Sequence, residues 1–543
     1  MKSRLASAIA LVLLSQSVIA DNRPQAPAVT LRHLASIGTD TVEGTGAEIV
    51  AYDARTRRAF AINSTDNDLA VLDLTDPAAP ILEDKVSFDA YGAGLNSVAT
   101  HGGLVAVAVE ASPKTNPGKV VFLDARTLKI LGAVTVGALP DMLTFDGDGK
   151  RVLVANEGEP NSYNQPDSVN PEGSVSIIDL GRGVANASVR TADFRAFSKE
   201  ALLAKGVRVF GPNATAAQDL EPEYITVHGR TAWVTLQEAN ALAVVDIPTA
   251  TVQDIVPLGL KNHALPGNGL DPSDRDGPSN SAKIAIGNWP VFGMYQPDAI
   301  AYFNIGNQRY LVTANEGDSR SSDDFPGFNE EVRLGSASNT AYVLDPIAFQ
   351  GAPANLRTNA GLARLNVTNA SGDTDGDGDF DRIEVFGARS FSIWSTSGEL
   401  VWDSGDRLEQ FFADPANGYS AIFNASTDNN NPDSRSDNKG PEPEGVAVGK
   451  VAGRTYAFVG LERAGGVMAW DVSDPTAPSF AAYGTTRKLD VAPGTVGGDI
   501  GAEGVTFIAG DESPNGQPLV LVGNEVSRTV SIFQVEAQSR GKR

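Results

Sequence analysis

The chain is built on a unit of three short strands that recurs along it, and this repeat limits the possible folds more than any other feature. Its clearest copy runs from Gly440 to Val472, GPEPEGVAVGKVAGRTYAFVGLERAGGVMAWDV. Glu444 opens the first strand, VAVG. Gly-Arg turns into the second, TYAFVGLE, which ends on Glu462. Arg-Ala-Gly-Gly turns into the third, VMAWDV. Runs rich in Val, Phe, Tyr and Ala between Gly-containing turns read as consecutive antiparallel strands. Further copies begin at Glu48, near Asn96, and at Asp141, Glu223, Asp298 and Glu503. In the Asp298 copy the strands read AIAYF, RYLVTANEGD and TAYVLDP. An eighth, irregular stretch, RIEVFG, SFSIWST, GELVWDSG, keeps the strand rhythm without the acids.

Strand units repeating at roughly 40–80 residues predict an all-β fold, a β-propeller of four-stranded blades. Eight repeat units give seven or eight blades, seven if the irregular unit merges with a neighbour. The fourth strand lies in the links, as in PSFAAYGT after Val472. The last unit lacks an outer strand, and the N-terminal VTLRHLASIG is expected to supply it and close the ring. Helix is scarce; Ser198 to Lys205 is the best candidate, capped by Ser198 and stopped by Gly206.

The first twenty residues have the pattern of a signal peptide. Lys2 and Arg4 precede an apolar core, Leu5 to Leu14, and Val18-Ile19-Ala20 ends on a small residue. The expected organisation is a signal peptide at 1–20, a single propeller domain at 21–537 and a basic tail at 538–543. The protein is therefore expected to be exported, periplasmic or secreted, with no membrane span, since no later apolar stretch reaches about 18 residues. Cleavage would take the formal charge from −24 to −26. That balance repels nucleic-acid phosphates and favours divalent cations as partners. The absence of cysteine excludes thiol catalysis and zinc–thiolate sites.

Two constellations carry chemistry. Asp373, Asp375, Asp377, Gly378, Asp379, Asp381 and Glu384 match a twelve-residue calcium loop position by position, with Glu384 at the place that chelates through both oxygens. Strands follow this loop instead of helices, so calcium there is expected to be structural. The second constellation is distributed. In a blade the innermost strand and the next run in opposite directions, so the start of one and the end of the other share a face. The starts hold Glu48, Asp141, Glu223, Asp298, Glu444 and Glu503; the ends hold Glu110, Glu157, Glu238, Glu316, Glu462 and Glu525. Turns favour Asp, Asn and Gly, whereas Glu is depleted in strands, so turn chemistry does not account for this series. A carboxylate ring at one channel mouth is expected, binding a cation or ligand. Arg320, Lys439 and Arg463 fall among these acids. They either neutralise neighbours or hold an anionic group such as phosphate.

Several long motifs, VANEGEPNSYN, VTANEGDSR, GARSFSIWSTSGELVWDSGD and KGPEPEGVAVGKVAGRTYAFVGLERAGGVMAWDVSDP, resemble the choice-of-anchor I family over roughly residues 30–535. That family includes the mesenchyme-specific cell-surface glycoproteins of biomineralising animals, and bacterial relatives often carry an alkaline phosphatase-like label. The resemblance implies an exported propeller-like domain and supplies no catalytic residue set. The expected function is that of a calcium-binding propeller that binds a surface polymer, a mineral surface or a phosphate-bearing ligand. The alternative is a calcium-dependent phosphoesterase.

Overall fold

Seven inner strands stand side by side around a central channel: Val50–Asp53, Gly94–His101, Pro140–Phe145, Pro222–His228, Ile300–Ile305, Pro443–Val451 and Ala502–Ile508. Each packs against the next, and the last packs against the first. The computed structural model describes residues 29–39, 46–322, 324–335, 342–492 and 495–538. The expected signal peptide and all but the first residue of the basic tail lie outside these.

Each inner strand begins a four-stranded antiparallel sheet, so the ring has seven blades among the described residues. In the seventh blade the outer strand is Val29–Gly38, paired antiparallel with Thr529–Ala537 as the sequence predicts. The chain therefore ends its ring on its own beginning.

A blade packs between two others, which explains why its middle strands are apolar on both faces. In Leu104–Glu110, Val105, Val107 and Val109 join the core shared with blade one. The alternate residues Ala106 and Ala108 join the core shared with blade three. This is the period-two alternation of a strand, with a core on each side. Seven such clusters exist among the described residues, one at each junction, including the one that joins blades seven and one through Leu521, Ile532, Ala59 and Leu72.

The eighth repeat unit resolves into blade five. Its SFSIWST and GELVWDSG form Ser390–Ser395 and Leu400–Asp403, the third and fourth strands beside Gln308–Asn315. TAYVLDP, expected as the third strand, is not part of the blade. Its first two residues lie outside the described residues, and Leu344 instead bridges Phe380. The chain leaves blade five after Asn315, builds a satellite and returns at Ser390. In that satellite Ile383–Val385 pairs with Val291–Met294, and Leu270, Leu334, Leu362, Val367 and Ile383 form a small core. The predicted helix is present as Lys199–Lys205. Ser198 Oγ accepts from the Ala201 N–H, and Gly206 closes the end at φ 94°. No helix among the described residues is long and apolar enough to cross a membrane.

Candidate functional site

The start of each inner strand and the end of each second strand meet at one mouth of the channel, giving fourteen equivalent positions in seven blades. Eleven are acids predicted from sequence, and a twelfth is Gln237 of blade four, whose predicted acid, Glu238, stands one residue further on. The other two are Asn96 in blade two and Ser64 in blade one, whose hydroxyl donates to Glu48. Glu48, Asp141, Asp298 and Glu503 line a cavity of about 170 Å³ in the channel, with Asn96, Met142 and Tyr224.

Local backbone features aim these side chains. The inner strands gain one extra residue between Leu95 and Ser97, Pro140 and Leu143, Pro222 and Ile225, Pro443 and Val446, and Ala502 and Val505. Asn96, Asp141, Glu223, Glu444 and Glu503 sit within those bulges. A bulge bends its strand and re-aims a side chain, here toward the channel. Pro suits the position because its missing N–H leaves no ladder donor unpaired. Leu139 and Glu442, each just before such a Pro, and Gln296, just before Pro297 ahead of the blade-five inner strand, adopt φ of 44°, 45° and 40°. Non-glycine residues in that region store strain, a feature that clusters at functional sites.

At the outer positions a buried asparagine precedes the acid in three blades. Asn156 donates to Ser176 Oγ at 2.9 Å, Asn315 to Ser392 Oγ at 2.8 Å and Asn524 to Ser531 Oγ at 2.8 Å. The amide ties the second strand to the third at the residue before the carboxylate. This explains the repeated Asn-Glu pair.

The ring is electrostatically continuous. Burial, then the proximity of Glu525 against the Ser64 hydrogen bond, pushes Glu48 up to about 7. Burial and then Glu48, Glu159 and Glu238 push Asp141 up to about 7. Burial also raises Glu157, Glu223, Asp298, Glu444 and Glu503 well above the carboxylate range, each reinforced by the next carboxylates round the mouth. Glu462 rises to about 8 and Glu110, Glu238 and Glu525 rise as well, burial leading in each. Oε2 of Glu223, Glu238, Glu444 and Glu503 is buried without a hydrogen-bond partner. A buried oxygen left unpaired costs about 1–3 kcal/mol and more when charged. A proton or a cation relieves that cost.

The three cations expected at this mouth are held by carboxylates. Arg320 reaches Asp219 at 2.6 Å and Glu221 at 2.5 Å. Lys439 reaches Glu316 at 2.6 Å and Glu442 at 3.2 Å. Arg463 reaches Glu442 at 3.1 Å and Glu462 at 3.0 Å. Of the two roles open to them, the geometry matches neutralisation of neighbours, not capture of an anion. Burial would raise Glu442, yet Lys439, Arg435 and Arg463 hold it far below the usual range. The strand-end pattern missed Glu221 and Glu442. Both precede the Pro-Glu that opens an inner strand, and the signal that marks them is Glu-Pro-Glu at 221–223 and 442–444.

The acidic loop lies in the satellite. Asp373, Asp375 and Asp381 bring carboxylate oxygens within 4.8 Å of one another, as do Asp345, Asp379 and Asp381. Asp373 accepts from the N–H groups of Gly376 and Gly378, and Gly378 takes φ 100° as the sharp turn requires. Asp377 accepts from the Asp379 N–H and joins neither group. Glu384 also joins neither: it lies on Ile383–Val385, accepts from Ser371 Oγ at 2.5 Å and faces Arg382 at 3.4 Å. The expected twelfth ligand is thus drawn off by the strand. Asp345, outside the sequence motif, is brought up by the fold.

These features define a seven-bladed β-propeller with a carboxylate-lined mouth. The chain belongs to the choice-of-anchor I domain family, whose pattern matches residues 48–475. It is 31% identical over 192 residues to Gigasin-3a of Magallana gigas, and 31% identical over 281 residues to the mesenchyme-specific cell surface glycoprotein of Strongylocentrotus purpuratus. Those matches cover 32% and 46% of this chain, and 64% and 34% of the relatives' own lengths. Solved structures similar to it include Kuenenia stuttgartiensis hydrazine synthase (TM-score 0.44, 12% identity, covering 92% of this chain and 99% of that one). Another is the Cps50 (Swd1) β-propeller domain of Myceliophteria thermophila (TM-score 0.44, 9% identity, covering 93% and 100%).

Proposed function

We propose that this is an exported propeller of the cell surface or its surroundings that binds calcium at an acidic mouth. Through that mouth it contacts an anionic polymer or mineral surface. The observation that carries the reading is the convergence of twelve carboxylates from seven blades on one mouth, several with buried oxygens that no protein group satisfies. Hard oxygen donors at this density suit calcium, which takes six to eight oxygens and tolerates irregular geometry. Cations held there would in turn present positive charge to an anionic partner. The surface location is supported by the relative named a cell surface glycoprotein.

The test is calcium uptake by the purified, chelator-treated protein, followed by adsorption to calcium carbonate and to an acidic polysaccharide with and without calcium. Calcium-dependent adsorption that is lost in the Glu48→Gln/Glu503→Gln variant is expected. Calcium-dependent hydrolysis of aryl phosphates, lost in the same variant, would instead establish the phosphoesterase and overturn the binding-only reading.

A further inference from the structure

The mouth holds two three-glutamate clusters of related construction. In the first, Glu157 directly follows the second strand of blade three, Glu221 precedes the Pro-Glu that opens blade four, and Glu238 lies two residues past the second strand of blade four. In the other, Glu316 and Glu442 occupy the same two places in blades five and six, while Glu462 directly follows the second strand of blade six, the place that Gln237 holds in blade four. In each cluster the carboxylate oxygens lie within 4.8 Å of one another.

The two differ in what balances them. Lys439 Nζ sits among the second cluster, bonded to Glu316 at 2.6 Å and to the Gly317 carbonyl at 2.6 Å, and 3.2 Å from Glu442. Arg463 and Arg435 complete the neutralisation. Counting back from Glu-Pro-Glu, the position of Lys439 is held in the first cluster by Gln218. By strand register, Leu236 pairs with Pro222 as Leu461 pairs with Pro443, so the position of Arg463 is held by Glu238 itself. The two internal cations are thus replaced by one neutral residue, Gln218, and one acid, Glu238. Among the described residues neither Glu157 nor Glu238 forms an ion pair. Arg320 is shared between Glu221 and Asp219, and Arg208 bonds the Glu238 main-chain carbonyl and the Glu330 carboxylate.

We propose that Glu157, Glu221 and Glu238 form a discrete divalent-cation site of calcium size. The role of its cation is taken in the sister cluster by Lys439 and Arg463. Glu221 and Glu238 are 1% and 3% exposed, and each aims one oxygen at no protein partner. An independent group points the same way. The hydroxyl of Tyr163, 3% exposed, has no hydrogen-bond partner and lies in the combined field of Arg320, Glu221, Asp219 and Glu238. A span of 4.8 Å between ligand oxygens suits an ion bonded to each at about 2.3–2.6 Å, the calcium range. The donors are all oxygen, so a hard cation is selected over zinc or copper. The proposal rests on the acidic mouth as a cation-binding region and names one site within it.

The experiment is calcium titration calorimetry on the full, chelator-treated chain, with Glu238→Gln and Glu462→Gln compared with wild type. Glu238→Gln is expected to bind one calcium fewer, and Glu462→Gln to bind as many as wild type. Equal stoichiometry and affinity in wild type and Glu238→Gln would overturn this site while leaving the mouth reading intact. No uptake by wild type would overturn both. Should Glu238→Gln not fold, terbium luminescence sensitised by tyrosine reads the site in the wild-type background. Tyr163→Phe is expected to remove most of the saturable emission, and unchanged emission would sink the proposal.

Discussion

Arg320 and Glu221 meet at 2.5 Å with neither side chain reached by solvent. The same guanidinium bonds Asp219 at 2.6 Å, and its planar face lies 4.6 Å over the Phe210 ring. Two buried acids therefore depend on one cation. Removing one partner of a buried pair costs about 3–5 kcal/mol, because the remaining charge is left unpaired. Asp219 keeps the N–H donors of Phe210 and Gly211, which places the expected loss for Arg320→Met near the lower end of that range. Urea denaturation in chelator checks it. A midpoint within error of wild type would show that the pair contributes nothing to stability.

A second buried pair sets a pH dependence. Asp271 and Asp433 are 0% and 1% exposed. Burial, then Asp433, Glu409 and Asp276, pushes Asp271 up to about 8 against the Ala285 N–H. Burial pushes Asp433 up to about 6 against Ser436 and the Lys283 N–H, with Asp276 and Asp274 adding to it. Arg389 does not relieve Asp271, since it bonds that residue's main-chain carbonyl and Glu409. Both folded values exceed the unfolded value of about 3.9. The folded state therefore holds protons that the unfolded state has released. This contribution is complete below about pH 4 and is lost as pH rises through about 6 to 8. In chelator the Tm is expected to fall between pH 5 and 8.5, less steeply in Asp271→Asn. Identical slopes by calorimetry would rule out this pair as the cause.

The propeller was legible because blade packing imposes a local rule, apolar middle strands between turns, that needs no long-range information. All but one of the ring acids stand at a fixed place in that pattern; Glu238 lies one residue past the place that Gln237 holds in blade four. Blade five was misread because TAYVLDP has a strand's composition, and only the core formed by Leu334, Val367 and Ile383 shows that the chain has left the ring. Glu221 and Glu442 escaped notice because they lie two residues before the strand-opening acid, outside the pattern being followed. In the acidic loop the motif located the carboxylates, but Glu384 is committed to a strand beside Val291–Met294, a pairing distant in sequence. Asp345 enters by the same kind of long-range contact.

That geometry separates two versions of the calcium loop. If the sequence motif alone governs binding, Glu384→Gln costs more affinity than Asp345→Asn. The structure predicts the reverse, because Asp345 joins Asp379 and Asp381 whereas Glu384 is engaged by Ser371 and Arg382. A calcium-induced rise in resistance to proteolysis between residues 371 and 384 is expected in wild type and Glu384→Gln. In Asp345→Asn it should need at least about tenfold more calcium, roughly 1.4 kcal/mol. Equal calcium requirements in the two variants would contradict the arrangement.

Closure of the ring by Val29–Gly38 gives the last prediction. This strand covers the edge of Thr529–Ala537 and sets Val29 in the core with Tyr456, Phe458, Val520 and Phe533, so it joins blades six and seven. Without it, Thr529–Ala537 presents unpaired N–H and C=O groups, an edge open to strand addition from another chain. The damage extends beyond one blade, because each junction core is shared and an open ring leaves two faces exposed. A chain beginning at residue 39 is therefore expected to aggregate or to unfold in a broad, low-temperature transition. A synthetic peptide of residues 29–38 should restore a sharp one at peptide concentrations above its dissociation constant. The peptide arm separates lost closure from general damage, since only a ring that lacks its outer strand has a place for it. A truncated chain that unfolds as sharply and as high as the full one would show that the seven blades close without this strand.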